Sequence, residues 1–247
     1  MTRAFYLLFG VLCYLIFFAT FLYLVAFVGN LLWVPRTVDR GHEVVGLWHA
    51  IAADVFLIAL FGLQHSVMAR QGFKRAWTRI VPEPIERSVY VLLASLVLIL
   101  LFWFWHPIPA VLWSVRNETL AYALWGLFGL GWLIVLLSTF LINHFELFGL
   151  RQVWAHAGGQ EIPAPVFRTP LFYRRVRHPL YSGFVLAFWA IPVMTAGHAL
   201  LAAGMTVYIL IAIRHEERDL VALFGADYEA YRGRAGMLVP KLGRRGG

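Results

Sequence analysis

The chain has 247 residues and a formal net charge of +8, yet only 14% of its residues are charged and 61% are hydrophobic. Soluble domains carry about 25% charged residues, so this composition excludes an ordinary soluble enzyme. Uncharged stretches close to the roughly 20 residues that cross a bilayer recur along the chain. We therefore predict an all-α, polytopic integral membrane helical bundle with about five to six transmembrane segments and no separate soluble domain.

Five uncharged stretches are the candidate spans. The first follows Arg3 and has no charge over residues 4–34, which is too long for the apolar region of a cleavable signal peptide. In chain order the predicted spans are about 5–33, 45–67, 88–105, 119–143 and 180–213. The last is too long for one straight helix, and Pro192 near its middle predicts a C-terminal helical hairpin of two short legs.

The basic residues predict the orientation. With six crossings, one side of the membrane receives 18 of the 21 Lys and Arg residues, and the other side keeps only Arg36, Arg40 and Arg116. Because cytoplasmic loops are enriched in Lys and Arg, the loops 68–87 and 144–179 and both termini are expected in the cytoplasm. Basic residues in such juxtamembrane loops suit orientation and membrane lipid headgroups, and no nucleic-acid partner is predicted.

Cysteine and histidine give little indication of a metal. Cys13 is the only cysteine and lies within the first span, so neither a disulfide framework nor a cysteine metal cluster is expected. Haem ligation stays open, because His49 and His198 share the outer depth, and His65 and His144 the inner depth. The sequence has no HExxH motif, and no metal site is predicted.

Two charged, aromatic clusters flank the predicted hairpin, which brings them to the same membrane face. They read Arg177-His178-Pro179-x-Tyr181-x-Gly183, and then Glu216-Glu217-x-x-Leu220 with Phe224-Gly225-x-x-Tyr228-x-x-Tyr231. In type and spacing they resemble the isoprenylcysteine carboxyl methyltransferase superfamily of integral membrane enzymes. The resemblance implies a cytoplasmic site for a methyl-donating cofactor.

The resemblance extends upstream, to three segments that look like the bacterial methanethiol S-methyltransferase branch, near the NnrU-like proteins. These segments are Leu63-Gln64-His65-Ser66-Val67-Met68-Ala69-Arg70, Val81-Pro82-Glu83-Pro84-Ile85-Glu86-Arg87 and Asn143-His144-Phe145-Glu146-Leu147-Phe148-Gly149-Leu150-Arg151-Gln152. The match covers most of the chain. It implies transfer of a methyl group from S-adenosylmethionine to methanethiol, giving dimethyl sulfide and S-adenosylhomocysteine. We expect one domain over 1–247 in the bacterial cytoplasmic membrane, with the cofactor bound by about 144–240.

The two clusters suit the groups that S-adenosylmethionine presents. Arg177 or Arg174 is suited to hold its carboxylate through a charge-assisted fork. Glu216 or Glu217 is suited to accept hydrogen bonds from its ribose hydroxyls or its ammonium group. The alternative interpretation is that these arginines only mark the cytoplasmic side and that the two glutamates belong to a solvated helix start.

Aromatic and backbone-directing residues complete the predicted cofactor site. Three rings are expected to stack on adenine or to contact the cation through their faces, namely Tyr173, Tyr181 and Tyr228. Pro179 fixes the chain direction beside His178. Gly183 permits a close approach of the backbone to a ligand.

A small thiol acceptor requires a second set of groups. An alkyl thiol has a pKa of about 8.5 or above, and its thiolate is the nucleophile. His144, His178 and His65 are candidates for the base, since imidazole titrates near 6.5. We rank His144 and His178 first, because Arg151 accompanies His144 and is suited to stabilise a developing anion.

Other functions remain open at this stage. A related enzyme of the same superfamily would methylate an isoprenylcysteine carboxyl group or a lipid amine. A member of a different class would be a non-catalytic NnrU-like membrane protein that binds haem or assists nitrogen-oxide metabolism. The sequence predicts neither the oligomeric state nor the route of substrate entry.

Overall fold

The protein is described by a computed structural model that covers residues 2–41, 45–164 and 166–241. The predicted basic end, Arg244 and Arg245, lies outside these residues. The described helices are α1 Thr2–Val28, α2 Leu47–Met68, α3 Gln71–Trp77, α4 Glu83–Phe104, α5 Glu118–Ile142, α6 His144–Leu147, α7 Leu150–Gly158, α8 Pro179–Trp189, α9 Ala196–Phe224 and α10 Ala226–Arg234. A 3-10 helix, Leu171–Arg174, and two short strands, β1 Val111–Ser114 and β2 Val193–Thr195, complete them.

Among the described helices, α1, α2, α4, α5 and α9 are long and apolar enough to cross a membrane. The prediction of an all-α polytopic membrane bundle is confirmed, although the ends of three spans are displaced, and α9 continues to Phe224 beyond the predicted end at 213. Helix α1 ends at Val28, before the turn in which Asn30 has a positive φ of 52°. Helix α4 begins at Glu83, five residues before the predicted start, because Pro84 occupies its first turn, where proline is favoured.

The chain divides into two compact units. Unit 1 contains Met1–Arg116, His144–Pro163 and Pro192–Met205. Unit 2 contains the remaining segments, Asn117–Asn143, Ala164–Ile191 and Thr206–Gly247. In unit 1, α4 packs against α1 and α2, and α7 packs against α1 and α4. In unit 2, the main helix contact is between α5 and α8.

The predicted break within 180–213 is confirmed, but the prediction of two short legs is wrong for the second leg, because α9 has 29 residues. In unit 2, α8 runs antiparallel to the second part of α9, and contacts at both ends of α8 fix this direction. Trp189 Nε1 donates to Thr206 Oγ1 at 3.1 Å, and His178 Nε2 lies 3.2 Å from Glu217 Oε1. Because α9 continues to Phe224, the paired glutamates lie inside a long helix, and the alternative that they begin a solvated helix is wrong.

The chain between α8 and α9 is extended, which the sequence did not predict. Helix α8 has 11 residues and spans only about 16 Å, so extended residues are needed to cross the roughly 30 Å hydrocarbon core. In unit 1, β2 pairs antiparallel with β1, and Val115 N donates to Pro192 O at 2.9 Å. Because unpaired backbone groups are costly in lipid, this strand pair allows the segment to remain non-helical.

Two glycines set the approach of α5 and α8. A Cβ on Gly131 would lie 2.7 Å from Gly183 O and 2.7 Å from Ala187 N, and a Cβ on Gly183 would lie 2.6 Å from Gly131 O. The helices therefore touch backbone to backbone, as small residues allow in membranes. The prediction that Gly183 gives a ligand access to the backbone is wrong, because α5 fills that space.

We predict that Gly131→Ala destabilises unit 2, whereas Gly129→Ala does not. The added methyl at Gly131 meets the backbone of α8, and overpacking of this kind costs about 1–3 kcal/mol. A Cβ on Gly129 of the same helix has no atom within 4 Å. The apparent melting temperature in detergent should fall only for the first variant, and equal melting temperatures would contradict the packing described.

Candidate functional site

Glu217, in the last turns of α9, is the centre of a charged cluster in unit 2. Its Oε1 accepts a hydrogen bond from Arg177 Nε at 2.6 Å and lies 3.2 Å from His178 Nε2. Its Oε2 lies 3.4 Å from Arg232 Nε of α10. The Arg177 and Glu217 side chains are only 11% and 12% exposed. One shielded carboxylate therefore joins basic side chains from both predicted clusters.

The C-terminal tail holds the backbone of the first cluster. Gly236 N donates to Arg175 O at 2.9 Å, Arg177 N donates to Gly236 O at 2.7 Å, and His178 N donates to Met237 O at 3.1 Å. These bonds form a short parallel ladder between the tail and the segment before α8. The tail therefore fixes the positions of Arg177 and His178.

His178 lies at the junction between this ladder and α8. Pro179 takes the first turn of α8, where a missing N–H costs no hydrogen bond. Ser182 N and Oγ both donate to His178 O at 3.0 Å, and Ser182 Oγ also donates to Leu238 O at 2.6 Å. The His178 side chain is 3% exposed, and its Nδ1 lies 3.9 Å from Glu216 Oε2. The imidazole is thus enclosed and faces two carboxylates.

Tyr231 of α10 anchors the segment before α8, and Tyr228 lies beside it. Tyr231 OH donates to Tyr173 O and to Val176 O. Burial raises the pKa of Tyr231 to about 12. Burial and, to a smaller extent, the Glu217 carboxylate raise the pKa of Tyr228. Both phenols therefore stay neutral at physiological pH, and Tyr231 donates its hydrogen bonds as an uncharged hydroxyl.

Only part of the predicted aromatic set is available to a ligand. The Tyr228 side chain is 2% exposed, and its ring is enclosed by Phe167 and Tyr231. The prediction that this ring stacks on adenine is therefore wrong, although its hydroxyl has no hydrogen-bond partner among the described residues. Tyr173 and Tyr181 are partly exposed, and the Tyr181 ring lies 5.7 Å from the His178 ring.

Two cavities adjoin the charged cluster in unit 2. The larger has a volume of about 720 Å³, and its lining includes Arg177, Arg232 and Lys241 with Glu229. The smaller has a volume of about 420 Å³ and is lined by Arg214, Glu217, Arg218, Val221 and Arg232. Small-molecule sites commonly enclose about 300–1,000 Å³. Both cavities carry more cationic than anionic side chains, so both favour anionic groups.

The other predicted catalytic residues lie in unit 1. His144 is 5% exposed, its Nε2 is 2.8 Å from Tyr14 OH, and burial lowers its pKa. His65 Nε2 is 2.8 Å from Tyr90 OH. Arg151 NH1 lies 2.5 Å from Glu146 Oε2. The expectation that Arg151 offers its charge to an anion beside His144 is therefore weakened, because Glu146 neutralises it.

Known proteins resemble the chain along nearly its whole length. It is 54% identical to methanethiol S-methyltransferase 1 of Bradyrhizobium diazoefficiens, over 94% of this chain and 81% of that protein. It is 53% identical to the methanethiol S-methyltransferase of Mycobacterium tuberculosis, over 97% of this chain and 98% of that protein.

The chain belongs to the methanethiol S-methyltransferase family. The resemblance inferred from its motifs is thereby confirmed. A more distant relative is nurim of Homo sapiens, 32% identical over 76% of this chain and 72% of nurim. No protein-family model and no solved structure matches the chain.

Two cationic residues of the unit 2 site were not predicted from the sequence. Arg232 pairs with Glu217, and Lys241 lines the larger cavity. Arg232 directly follows the FGxxYxxY pattern, so its position beside the motif was a usable signal. Lys241 offered none, because its ammonium is placed by hydrogen bonds to Arg232 O and Gly233 O that form only in the folded chain. No group of three metal-ligating side chains lies close enough to hold a metal ion within the described ranges.

We predict that Glu217→Ala destabilises the protein far more than Glu216→Ala. Removing Glu217 leaves two shielded basic groups without their carboxylate, and breaking a buried ion pair costs about 3–5 kcal/mol. Glu216 is 45% exposed, and its loss should cost under about 1 kcal/mol. Thermal unfolding in detergent measures the difference. A similar loss for both variants would show that Glu217 is not the centre of the cluster.

We predict that His144 makes the protein less stable in mild acid. Burial holds its pKa below the ordinary value of 6.5, so the unfolded chain binds a proton first as the pH falls. The stability contributed by neutral His144 is complete above pH 6.5 and is lost below it. In melting curves between pH 7 and pH 5, His144→Gln should lose less stability than the wild type. If His144→Gln and the wild type lost the same stability between pH 7 and pH 5, this contribution of His144 would be refuted.

Proposed function

We propose that the protein transfers a methyl group from S-adenosylmethionine to methanethiol, giving dimethyl sulfide and S-adenosylhomocysteine. The observation that carries the proposal is the identity of about half of the residues, over nearly the whole chain, with proteins named methanethiol S-methyltransferase. The charged cluster of unit 2 supports it, since the motifs that suggested a methyl-donor site converge there. We further propose that residues 1–247 act as one methyltransferase domain.

The residues present fit the proposed methyl donor. The larger cavity, of about 720 Å³, has room for a molecule of that size. Arg177, Arg232 and Lys241 line it, and guanidinium groups suit a carboxylate. The buried Tyr228 hydroxyl, which has no partner among the described residues, adds a hydrogen-bonding group beside the two glutamates.

We propose a division of roles between the two glutamates. Glu217 is already engaged by Arg177, His178 and Arg232, so its role is to hold these groups in place. Glu216 is 45% exposed and remains available to accept from the ribose hydroxyls or the ammonium group. Tyr173 and Tyr181 are the partly exposed rings that remain available for stacking.

S-adenosylmethionine supplies, when bound, a methyl group on a positively charged sulfur. The chain must remove the thiol proton and keep water away from the nucleophile. Thiolate attack on a sulfonium cancels two charges, so a water-poor site speeds the step. His178 suits the proton transfer, because its imidazole is 3% exposed and a proton on it would face Glu216 and Glu217.

His144 and His65 remain proposed alternatives for the base. Burial lowers the pKa of His144, so its ring is neutral at pH 7 and able to accept a proton. Its Nε2 is within hydrogen-bond distance of Tyr14 OH, and His65 Nε2 is likewise close to Tyr90 OH. Each phenol fixes the orientation of its imidazole. Arg151 remains a weaker candidate, because Glu146 pairs with it.

We predict that membranes carrying the wild-type protein produce dimethyl sulfide from S-adenosylmethionine and methanethiol, and that Glu217→Gln lowers the rate at least tenfold. The amide cannot neutralise Arg177, so the cations of the site are displaced. Headspace gas chromatography measures the product.

The matched control is Asp219→Asn, an exposed carboxylate on the same helix, which should retain the wild-type rate. Absence of product from the wild type, with S-adenosylhomocysteine still bound, would overturn the acceptor but keep the cofactor site. Absence of both product and binding would overturn the proposed function.

We also propose that the protein lies in the bacterial cytoplasmic membrane with both termini in the cytoplasm. In this arrangement the loop after β1 faces outward and the tail faces inward. Arg116 of that loop is exposed, and Met237 of the tail is 37% exposed. In a Cys13→Ala background, we predict that an impermeant maleimide labels Arg116→Cys in intact cells and Met237→Cys only after permeabilisation. Labelling of both from outside would contradict this orientation.

A further inference from the structure

The smaller cavity of unit 2 is lined by Arg214 and Arg218, which the proposed reaction does not use. Arg214, Arg218 and Arg232 surround about 420 Å³ with only one carboxylate, Glu217. That carboxylate already pairs with Arg177 and His178. The Arg214 and Arg218 guanidinium groups have no ion-pair partner among the residues that the structure describes. The cavity therefore presents two uncompensated cations to any ligand.

These arginines lie where α9 leaves its apolar stretch. Arg214 directly follows Ile213, the last residue of the uncharged stretch. A helix that spans the membrane with this pattern places its first charged residues at the depth of the lipid headgroups. Arg218 follows Arg214 by four residues, so both lie on one face of the helix.

The same face of α9 is apolar and exposed before the arginines. Val207 is 56% exposed and Ile211 is 47% exposed, and the spacings from Val207 through Ile211 and Arg214 to Arg218 are four, three and four residues. Such spacings return to one side of a helix. This apolar strip is suited to contact the acyl chain of a phospholipid, and the two guanidinium groups at its end are suited to bind the headgroup phosphate.

We infer that Arg214, Arg218 and Arg232 form a binding site for the headgroup phosphate of an anionic membrane phospholipid, with its acyl chain along Val207 and Ile211. Guanidinium groups bind phosphate through paired hydrogen bonds. Because Arg232 belongs to α10 and lies 3.4 Å from Glu217 Oε2, the bound phosphate would also hold α10 against α9. The site does not depend on methyl transfer.

The test is a titration of detergent-purified protein with dioleoylphosphatidylglycerol, with dioleoylphosphatidylcholine as the neutral reference. Lipid adducts are measured by native mass spectrometry, and stability is measured by thermal unfolding. We expect phosphatidylglycerol to bind more tightly and to raise the melting temperature more than phosphatidylcholine. In Arg214→Gln/Arg218→Gln, we expect roughly 30-fold weaker binding, from about 1 kcal/mol for each cationic side chain.

The matched control is Arg75→Gln/Arg79→Gln, which removes two exposed arginines with the same spacing from α3 and the turn that follows it. It should bind phosphatidylglycerol like the wild type. Equal losses in the two double variants, or equal affinity for the two lipids, would overturn the inference. Full stabilisation by inorganic phosphate alone would overturn the assignment to a lipid. If Arg214→Gln/Arg218→Gln does not fold, Arg218→Gln alone should bind about fivefold more weakly, and wild-type affinity in that variant would overturn the site.

Discussion

The candidate site depends on the carboxylate of Glu217. It is 12% exposed and is reached by Arg177 at 2.6 Å and by His178 at 3.2 Å. A carboxylate shielded from water is costly unless cations and hydrogen-bond donors surround it. The chain meets this requirement with groups from the start of α8 and from α10. The same groups are therefore held in one arrangement before any ligand arrives, which is what a binding site requires.

The hairpin geometry makes this ion pair possible. Gly131 and Gly183 let α5 and α8 touch along their backbones, and this contact fixes the helix that begins beside His178. Helix α9 then continues beyond the apolar stretch to Phe224, so Glu217 is carried on a rigid element. The C-terminal tail is hydrogen-bonded to the segment before α8 through the backbone of Gly236. The packing of α5 against α8, the length of α9 and the pairing of the tail thus together determine the positions of Arg177, His178 and Glu217.

Much of the fold was predictable because membrane-spanning helices leave a simple pattern of charge and hydropathy. The spans, the break near Pro192 and the convergence of Arg177 with Glu217 follow from that pattern. The strand pair between β1 and β2 did not, because four-residue and three-residue strands carry no distinct periodicity.

The errors in the predicted site have physical reasons. Gly183 serves helix packing instead of ligand access, and the Tyr228 ring is enclosed by other aromatic rings. Both positions lie within the motifs, but a motif does not show which side chains face the protein interior. The sequence likewise did not predict the charge partner of Arg151, because Glu146 and Arg151 are brought together only by the turn between α6 and α7.

The affinity of the detergent-purified protein for S-adenosylhomocysteine tests the central claim most directly. Isothermal titration calorimetry would compare the wild type with Glu217→Gln and with the exposed-site variant Asp219→Asn. Because Glu217 holds the basic groups that line the larger cavity, the account predicts at least tenfold weaker binding for Glu217→Gln and unchanged binding for Asp219→Asn. Equal affinity in all three proteins, with Glu217→Gln still folded, would contradict the claim that this carboxylate organises the site.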